Sequence, residues 1–188
     1  VLRTLGTGVA APSANRFGAV SPTTAAHVLA DLGAALDPQR DAILDGGASS
    51  IGVESTIVDC TVEPPQVLRP GAIAAAAVER LLGVAPAAAT GPSRAAGKLA
   101  AHYAPRSRVV LSAPGDVATI ADELRQQGEQ VVVVDRTADL VDAARFLYAD
   151  LRAADDAGAT VVVAALPAPA GLGVAIEDRL RKAAAAHE

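Results

Sequence analysis

The chain has 188 residues, 51% hydrophobic and 20% charged, which is enough apolar material for one ordinary domain or two small ones and too much for a disordered chain. Sixteen Lys and Arg against 21 Asp and Glu give a formal charge of -5, which argues against a broad electrostatic grip on nucleic acid. Two Tyr, two Phe and no Trp leave no aromatic platform for stacking single strands.

Val1 to Gly6 reads as the last turns of a helix with a glycine cap, so the natural chain is expected to begin upstream. Residues 7 to 15 read as a short buried strand running into a loop that exposes Ser13 and Asn15. After Ser21-Pro22, Thr23 or Thr24 caps a helix carrying Ala26, Val28, Leu29 and Leu32 and ended by Gly33. Ala42 to Leu44, Ser50 to Asp59 and Val67-Leu68 read as strands, and Ala72 to Leu82 as a helix.

From Gly83 to Pro105 the composition shifts to Ala, Pro, Gly and Ser without periodicity, the signature of a linker. Beyond it, strands at Arg108 to Leu111, Gln130 to Val134 and Thr160 to Ala165 each precede a helical pattern. The first helix presents Val117, Ile120, Ala121 and Leu124 on one face; the second presents Leu140, Val141, Ala144, Leu147, Tyr148 and Leu151; the third runs from Val174 to Ala186. Three βα units in succession predict a parallel sheet with helices packed on it.

The single Cys60 cannot form an internal disulfide, which fits a reducing compartment, and His27, His102 and His187 are too far apart for a zinc-ligand spacing. The uncharged run Ala157 to Ile176 is interrupted by Pro167, Pro169 and three glycines, so it is not read as a membrane helix. No secretion signal is apparent.

Ser13 and Asn15, two residues apart, point the same way in an extended loop; they either share a ligand or close an Asx-type turn. Glu54-Ser55-Thr56 interrupts an apolar strand, so at least one of these side chains needs a hydrogen-bond partner, from a ligand or from solvent at an edge. Arg69 ends a strand before Pro70-Gly71, where a guanidinium can hold a phosphate or form a surface ion pair. Gly171-Leu172-Gly173 lacks the third glycine of a phosphate loop, and Asp178, Arg179, Arg181 and Lys182 read as a solvated charged face. His102-Tyr103 has no core of its own in the linker and is expected to dock on a domain surface or to cover a site.

Three stretches in order, Ala-Pro-Ser-Ala-Asn-Arg-Phe-Gly-Ala-Val-Ser-Pro-Thr at 11 to 23, Gly-Val-Glu-Ser-Thr-Ile-Val-Asp at 52 to 59 and Leu-Arg-Pro-Gly-Ala-Ile at 68 to 73, resemble the threonylcarbamoyl-AMP synthase family. His102-Tyr103-Ala104-Pro105 and the tail from Gly171 to Leu180 look like its longer members, and the resemblance covers essentially the whole chain. It implies an α/β chain: a partial YrdC-like α/β domain at 1–88, a linker or lid at 89–106, and a small Rossmann-like open parallel-sheet domain at 107–188. It also implies a cytoplasmic nucleotidyltransferase that joins L-threonine, bicarbonate and ATP with Mg2+ into threonylcarbamoyl-AMP and pyrophosphate for tRNA threonylcarbamoyladenosine.

By the same resemblance Ser13 and Ser55 contact threonine, Asn15, Thr23 and Arg69 contact ATP, and Tyr103 lies over the nucleotide. No covalent nucleophile, resident metal ligand, direct tRNA grip or membrane partner is implied. The family's basic phosphate-binding cluster is expected upstream of residue 1, so these 188 residues alone are expected to be inactive. The linker reads Ala95-Ala96-Gly97-Lys98-Leu99 where many members have Ser-Pro-Gly-Met. The alternatives are a noncatalytic nucleotide-binding or regulatory module and a YrdC-like carbamoyltransferase part.

Overall fold

Two short sheets, one in each half of the sequence, organise the computed structural model, which describes residues 1–90 and 102–187. The linker sequence at 95–99 lies outside the described residues. In the first half, helix α1 (Leu2–Leu5) closes on Gly6 in the left-handed conformation, and α2 (Ala25–Leu32) starts at Thr24, whose hydroxyl accepts the His27 N–H. Strands β1 (Ile57–Asp59) and β2 (Gln66–Arg69) pair antiparallel; after α3 (Ala75–Leu82), β3 (Ala87–Ala88) pairs parallel with β2.

Two expected strands do not form. Residues 7–15 and 42–44 have strand-like composition, but among the described residues no strand lies beside either to complete a ladder, and residues 7–13 are exposed. The helix expected from Ala72 starts at Ala75, because the Thr56 hydroxyl donates to the Ile73 carbonyl at 2.6 Å and accepts the Ile73 N–H at 3.0 Å. Those bonds hold Ile73 outside the helical ladder.

The second half forms the expected βα units: β4 (Arg108–Ser112), α4 (Val117–Gln126), β5 (Val131–Val134), α5 (Leu140–Asp156), β6 (Val161–Ala165) and α6 (Leu172–Ala184). All pairings are parallel and the order is β4-β6-β5. Every residue of central β6 is buried, as a strand covered on both faces requires, which explains its unbroken Val-Val-Val-Ala-Ala sequence. Val117 and Ala121 of α4 pack on one face of the sheet; Leu147, Tyr148 and Leu151 of α5 with Ile176 and Leu180 of α6 pack on the other. Val141, expected on the buried face of α5, is exposed. The run 157–176 divides between β6, a loop and the start of α6, and no helix among the described residues is long and apolar enough to cross a membrane.

The core on the α5–α6 side also takes in Val20, Val53 and Tyr103, so the two halves share one apolar cluster. Gly52 sets the approach. Its φ is +84°, and a Cβ there would lie 2.2 Å from the Ala144 carbonyl oxygen and 2.4 Å from that of Arg145 on α5. Gly128 has φ +91° with open space around it. Gly128→Ala therefore tests backbone strain alone, about 1–3 kcal/mol, or roughly 2–10 °C in thermal midpoint. Gly52→Ala should fall distinctly further by scanning calorimetry, because it also forces α5 away; equal losses would show that the close approach carries no energy.

Candidate functional site

The strands β1 and β2 bring two of the expected site residues into contact. Arg69, at the end of β2, donates from Nε to the Ser55 carbonyl oxygen at 3.2 Å and from Nη2 to Ser55 Oγ at 3.3 Å. Gly71 makes the following turn possible: a Cβ there would meet Thr56 N at 2.3 Å and the Glu54 carbonyl oxygen at 2.4 Å, so Arg69-Pro70-Gly71 lies directly on the Glu54-Ser55-Thr56 backbone.

Glu54, which needed a partner by its place in an apolar segment, finds several in the protein. Its Oε1 accepts from Ser21 Oγ at 2.9 Å, and its Oε2 from Tyr148 Oη at 2.8 Å and Arg179 Nε at 2.8 Å. Arg179 also donates from Nη2 to the Pro70 carbonyl at 2.9 Å and from Nη1 to Asp178. Its guanidinium lies 5.2 Å from the centre of the Tyr103 ring, within cation–π range, and that ring stacks on Tyr148 at 5.5 Å.

The electrostatics follow. Burial pushes the Glu54 carboxyl up, but the Arg179 charge and the hydrogen bonds from Arg179 and Tyr148 outweigh it and leave the group below its usual range. Tyr148 is pushed well above the ordinary phenol value, first by burial and then by the Glu54 charge. Burial works against the Arg179 charge, yet the surrounding Tyr148 and Glu54 raise its pKa, so it stays a cation.

The loop bearing the other expected residues packs against the segment that leaves the linker. Ala19 bridges Ala104, whose N–H donates to the Gly18 carbonyl at 2.9 Å, and Phe17 meets His102 edge-on at 6.1 Å. Ser13 is exposed; Asn15 is half-buried and donates from Nδ2 to the carbonyls of Arg16 and Ala19, both at 3.0 Å. Thr23 is buried, its N–H donating to His27 Nδ1 at 3.1 Å. His27 is held below its usual pKa by burial and by Arg152, against Asp31 and Asp156.

Three buried side-chain atoms among the described residues have no hydrogen-bond partner: Asn15 Oδ1, His102 Nδ1 and Tyr103 Oη. All three sit on these two touching segments. Burial, then the Lys182, Arg179 and Arg69 charges, lower the His102 pKa against the opposing pull of Glu54, so the ring is neutral at pH 7. The same Arg69 and Glu54 charges act on Tyr103, placing β2, Glu54 and the 102–103 pair in one electrostatic neighbourhood.

One expectation from the sequence fails here: Arg179 is not on a solvated face but 1% exposed. Tyr103 takes the first of its two expected roles and docks on the second half, 2% exposed within the shared cluster. Tyr103 achieves this with φ +60°, a conformation uncommon for a side-chain-bearing residue. A cavity of about 460 Å³ beside β5, lined by Val132 to Arg136 and by Asp150, contains none of the expected residues, and its Arg136–Asp150 pair is closed on itself at 2.6 Å.

Residues 72–185 match the family model described as threonylcarbamoyl-AMP synthase, C-terminal domain, and residues 1–71 match one described as telomere recombination. The chain is 35% identical to the threonylcarbamoyl-AMP synthase of Pyrococcus abyssi, with 93% of this chain and 57% of the relative covered. It is 33% identical to that of Bacillus subtilis, with 98% and 59% covered. The crystal structure of P. abyssi Sua5 complexed with L-threonine superposes with a TM-score of 0.86 at 31% identity, over 98% of this chain and 60% of that one. A variant of that protein with an adjacent histidine and tyrosine both replaced by alanine superposes at 0.85, with 29% identity over 98% of this chain and 59% of that one. The chain thus spans 57–60% of the length of these relatives.

The depressed Glu54 pKa makes its contribution to stability pH-dependent. Because the folded value lies below the ordinary value of 4.5, the stabilisation is fully present above pH 4.5 and is lost as pH falls through the folded value. In urea titrations the advantage of the wild type over Glu54→Gln should therefore be constant near neutrality and shrink below about pH 4.5. A difference independent of pH down to the acid transition would mean that the fold does not depress the Glu54 pKa.

Proposed function

Because the chain belongs to the threonylcarbamoyl-AMP synthase family, we propose that it forms part of a cytoplasmic enzyme joining L-threonine, bicarbonate and MgATP into threonylcarbamoyl-AMP and pyrophosphate. The adenylate would then supply the threonylcarbamoyl group placed on a tRNA adenosine. The observation that carries the reading is the set of three unpartnered buried polar atoms on Asn15, His102 and Tyr103, next to the Ser55–Arg69 contact. Buried polar atoms are rarely left without partners, and a polar ligand would supply them.

In this reading the threonine amine condenses with bicarbonate, releasing water, to give a carbamate. A carbamate oxygen attacks the α-phosphorus of ATP, forming the new P–O bond as the bond to pyrophosphate breaks. No protein nucleophile is needed; the task is to place two anions in line and to stabilise charge. Ser13 and Ser55 take threonine; Asn15, Thr23 and Arg69 take the nucleotide, with the permanent Arg69 charge on its phosphates; the Tyr103 hydroxyl faces the same nucleotide. In this reading the magnesium ion arrives on the phosphate oxygens of the substrate. No grip on tRNA is required, since the product is a small adenylate.

The test is pyrophosphate release dependent on both threonine and bicarbonate, in the protein expressed from its complete reading frame. There Arg69→Ala should weaken use of ATP by about 10- to 100-fold, the worth of hydrogen bonds to a charged group, with much less effect on threonine. A loss confined to threonine would assign Arg69 to the other substrate. Tyr103→Phe removes a hydroxyl that has no partner in the fold, so the thermal midpoint should hold while the KM for ATP rises. An unchanged KM would take Tyr103 off the site. Tyr103→Ala would not separate these effects, because it opens a cavity in the shared core, at a cost of about 3–5 kcal/mol by analogy with Phe truncations.

A further inference from the structure

Arg179 lies on α6, far in sequence from the stretches that resemble family motifs, yet it touches two of the first three and Tyr103 of the segment that leaves the linker. Its Nε bonds Glu54, the residue before Ser55; its Nη2 bonds the carbonyl of Pro70, the residue after Arg69; its plane lies over the Tyr103 ring. The third nitrogen is taken by Asp178. With all three nitrogens engaged inside the protein and its side chain 0% exposed, Arg179 is not placed to bind a substrate itself. Tyr148 of α5 donates to the same Glu54 carboxylate.

Resting on the functional reading above, we propose that Arg179 and Tyr148 are positioning residues for that reaction: a clamp from the C-terminal helices that fixes the distance between Ser55 and Arg69, and so between threonine and ATP. A planar guanidinium holds two acceptors at a set angle, which a lysine ammonium at the same place cannot do. Each substrate residue is one peptide unit from a clamped group, and displacements near 1 Å are enough to slow a reaction that depends on alignment. The arms of the clamp are unequal. Arg179 fixes both Glu54 and Pro70, whereas Tyr148 fixes Glu54 alone.

The experiment compares Arg179→Lys, Tyr148→Phe and Leu124→Ala with the wild type in the protein expressed from its complete reading frame. Thermal midpoints are measured first, then KM values for threonine and ATP by pyrophosphate release well below the lowest midpoint. Leu124 packs in the cluster on the far face of the second sheet, so its truncation loosens the fold without touching the clamp. Arg179→Lys should raise both KM values about ten-fold. Tyr148→Phe should raise the threonine KM about two- to three-fold and leave that for ATP unchanged, and Leu124→Ala should lower the midpoint and move neither. A folded Arg179→Lys protein with both KM values unchanged, or an equal rise in Leu124→Ala, would overturn the clamp in favour of simple structural support. If Arg179→Lys does not fold, Tyr148→Phe decides, and an unchanged threonine KM overturns the proposal. A wild type that releases no pyrophosphate would instead overturn the functional reading, and this inference with it.

Discussion

A guanidinium removed from water is the constraint around which this chain is arranged. Arg179 is 1% exposed, and a cation at that depth is tolerated only where acceptors surround it. Glu54, Asp178 and the Pro70 carbonyl are those acceptors, with the face of Tyr103 completing the shell. Apart from Asp178, the neighbour of Arg179 on α6, each comes from a different part of the sequence, so satisfying one charge fixes three other segments to that helix. Removing a single partner of such a pair typically costs about 3–5 kcal/mol, because the remaining charge is left buried and unpaired. The arrangement is therefore stiff at the point where Ser55 and Arg69 meet.

A second arginine anchors the other end of the same interface. Arg152, on α5, bonds the Asp31 carboxylate and the backbone carbonyls of Val20 and Ser21, just ahead of Thr23. Between the two arginines lie the apolar contacts of Val20, Val53 and Tyr103 with α5 and α6, and the bare backbone of Gly52 against the carbonyls of Ala144 and Arg145. Hydrophobic burial supplies attraction without direction, whereas the two charged forks set register. The second half is thus a scaffold pressed on the motif-bearing half, with α5 and α6 as its working face.

The second half was legible in the sequence because its signals are local. Valine runs bounded by turns gave β4, β5 and β6, and the spacing of Val117, Ala121, Leu147 and Leu151 gave the helices on the correct faces. The contact of Ser55 with Arg69 was also within reach, since two short strands around a turn bring their ends together. What was not legible depends on partners distant in the chain. Arg179 sits among Asp178, Arg181 and Lys182, and that pattern on a helix is the pattern of a solvated face; only Glu54, 125 residues earlier, reveals that one member turns inward. Tyr103 looked coreless for the same reason, its core being assembled from α5 and α6. The β-like stretches at 7–15 and 42–44 had propensity but found no neighbouring strand among the described residues. Val141 obeyed the helical period and still faced water, because the apolar stripe is wider than the surface that covers α5.

Net charge and local field also part company. The chain carries a formal charge of -5, the wrong sign for attracting a triphosphate at long range. At His102, however, burial and then the Lys182, Arg179 and Arg69 charges outweigh the opposing Glu54 charge and lower the imidazole pKa. A neutral ring can offer an unprotonated nitrogen or a single N–H as a ligand requires, while the positive charge remains on arginines that do not titrate near neutrality. The sign of the net charge therefore does not by itself set the charges that act at this point of the fold.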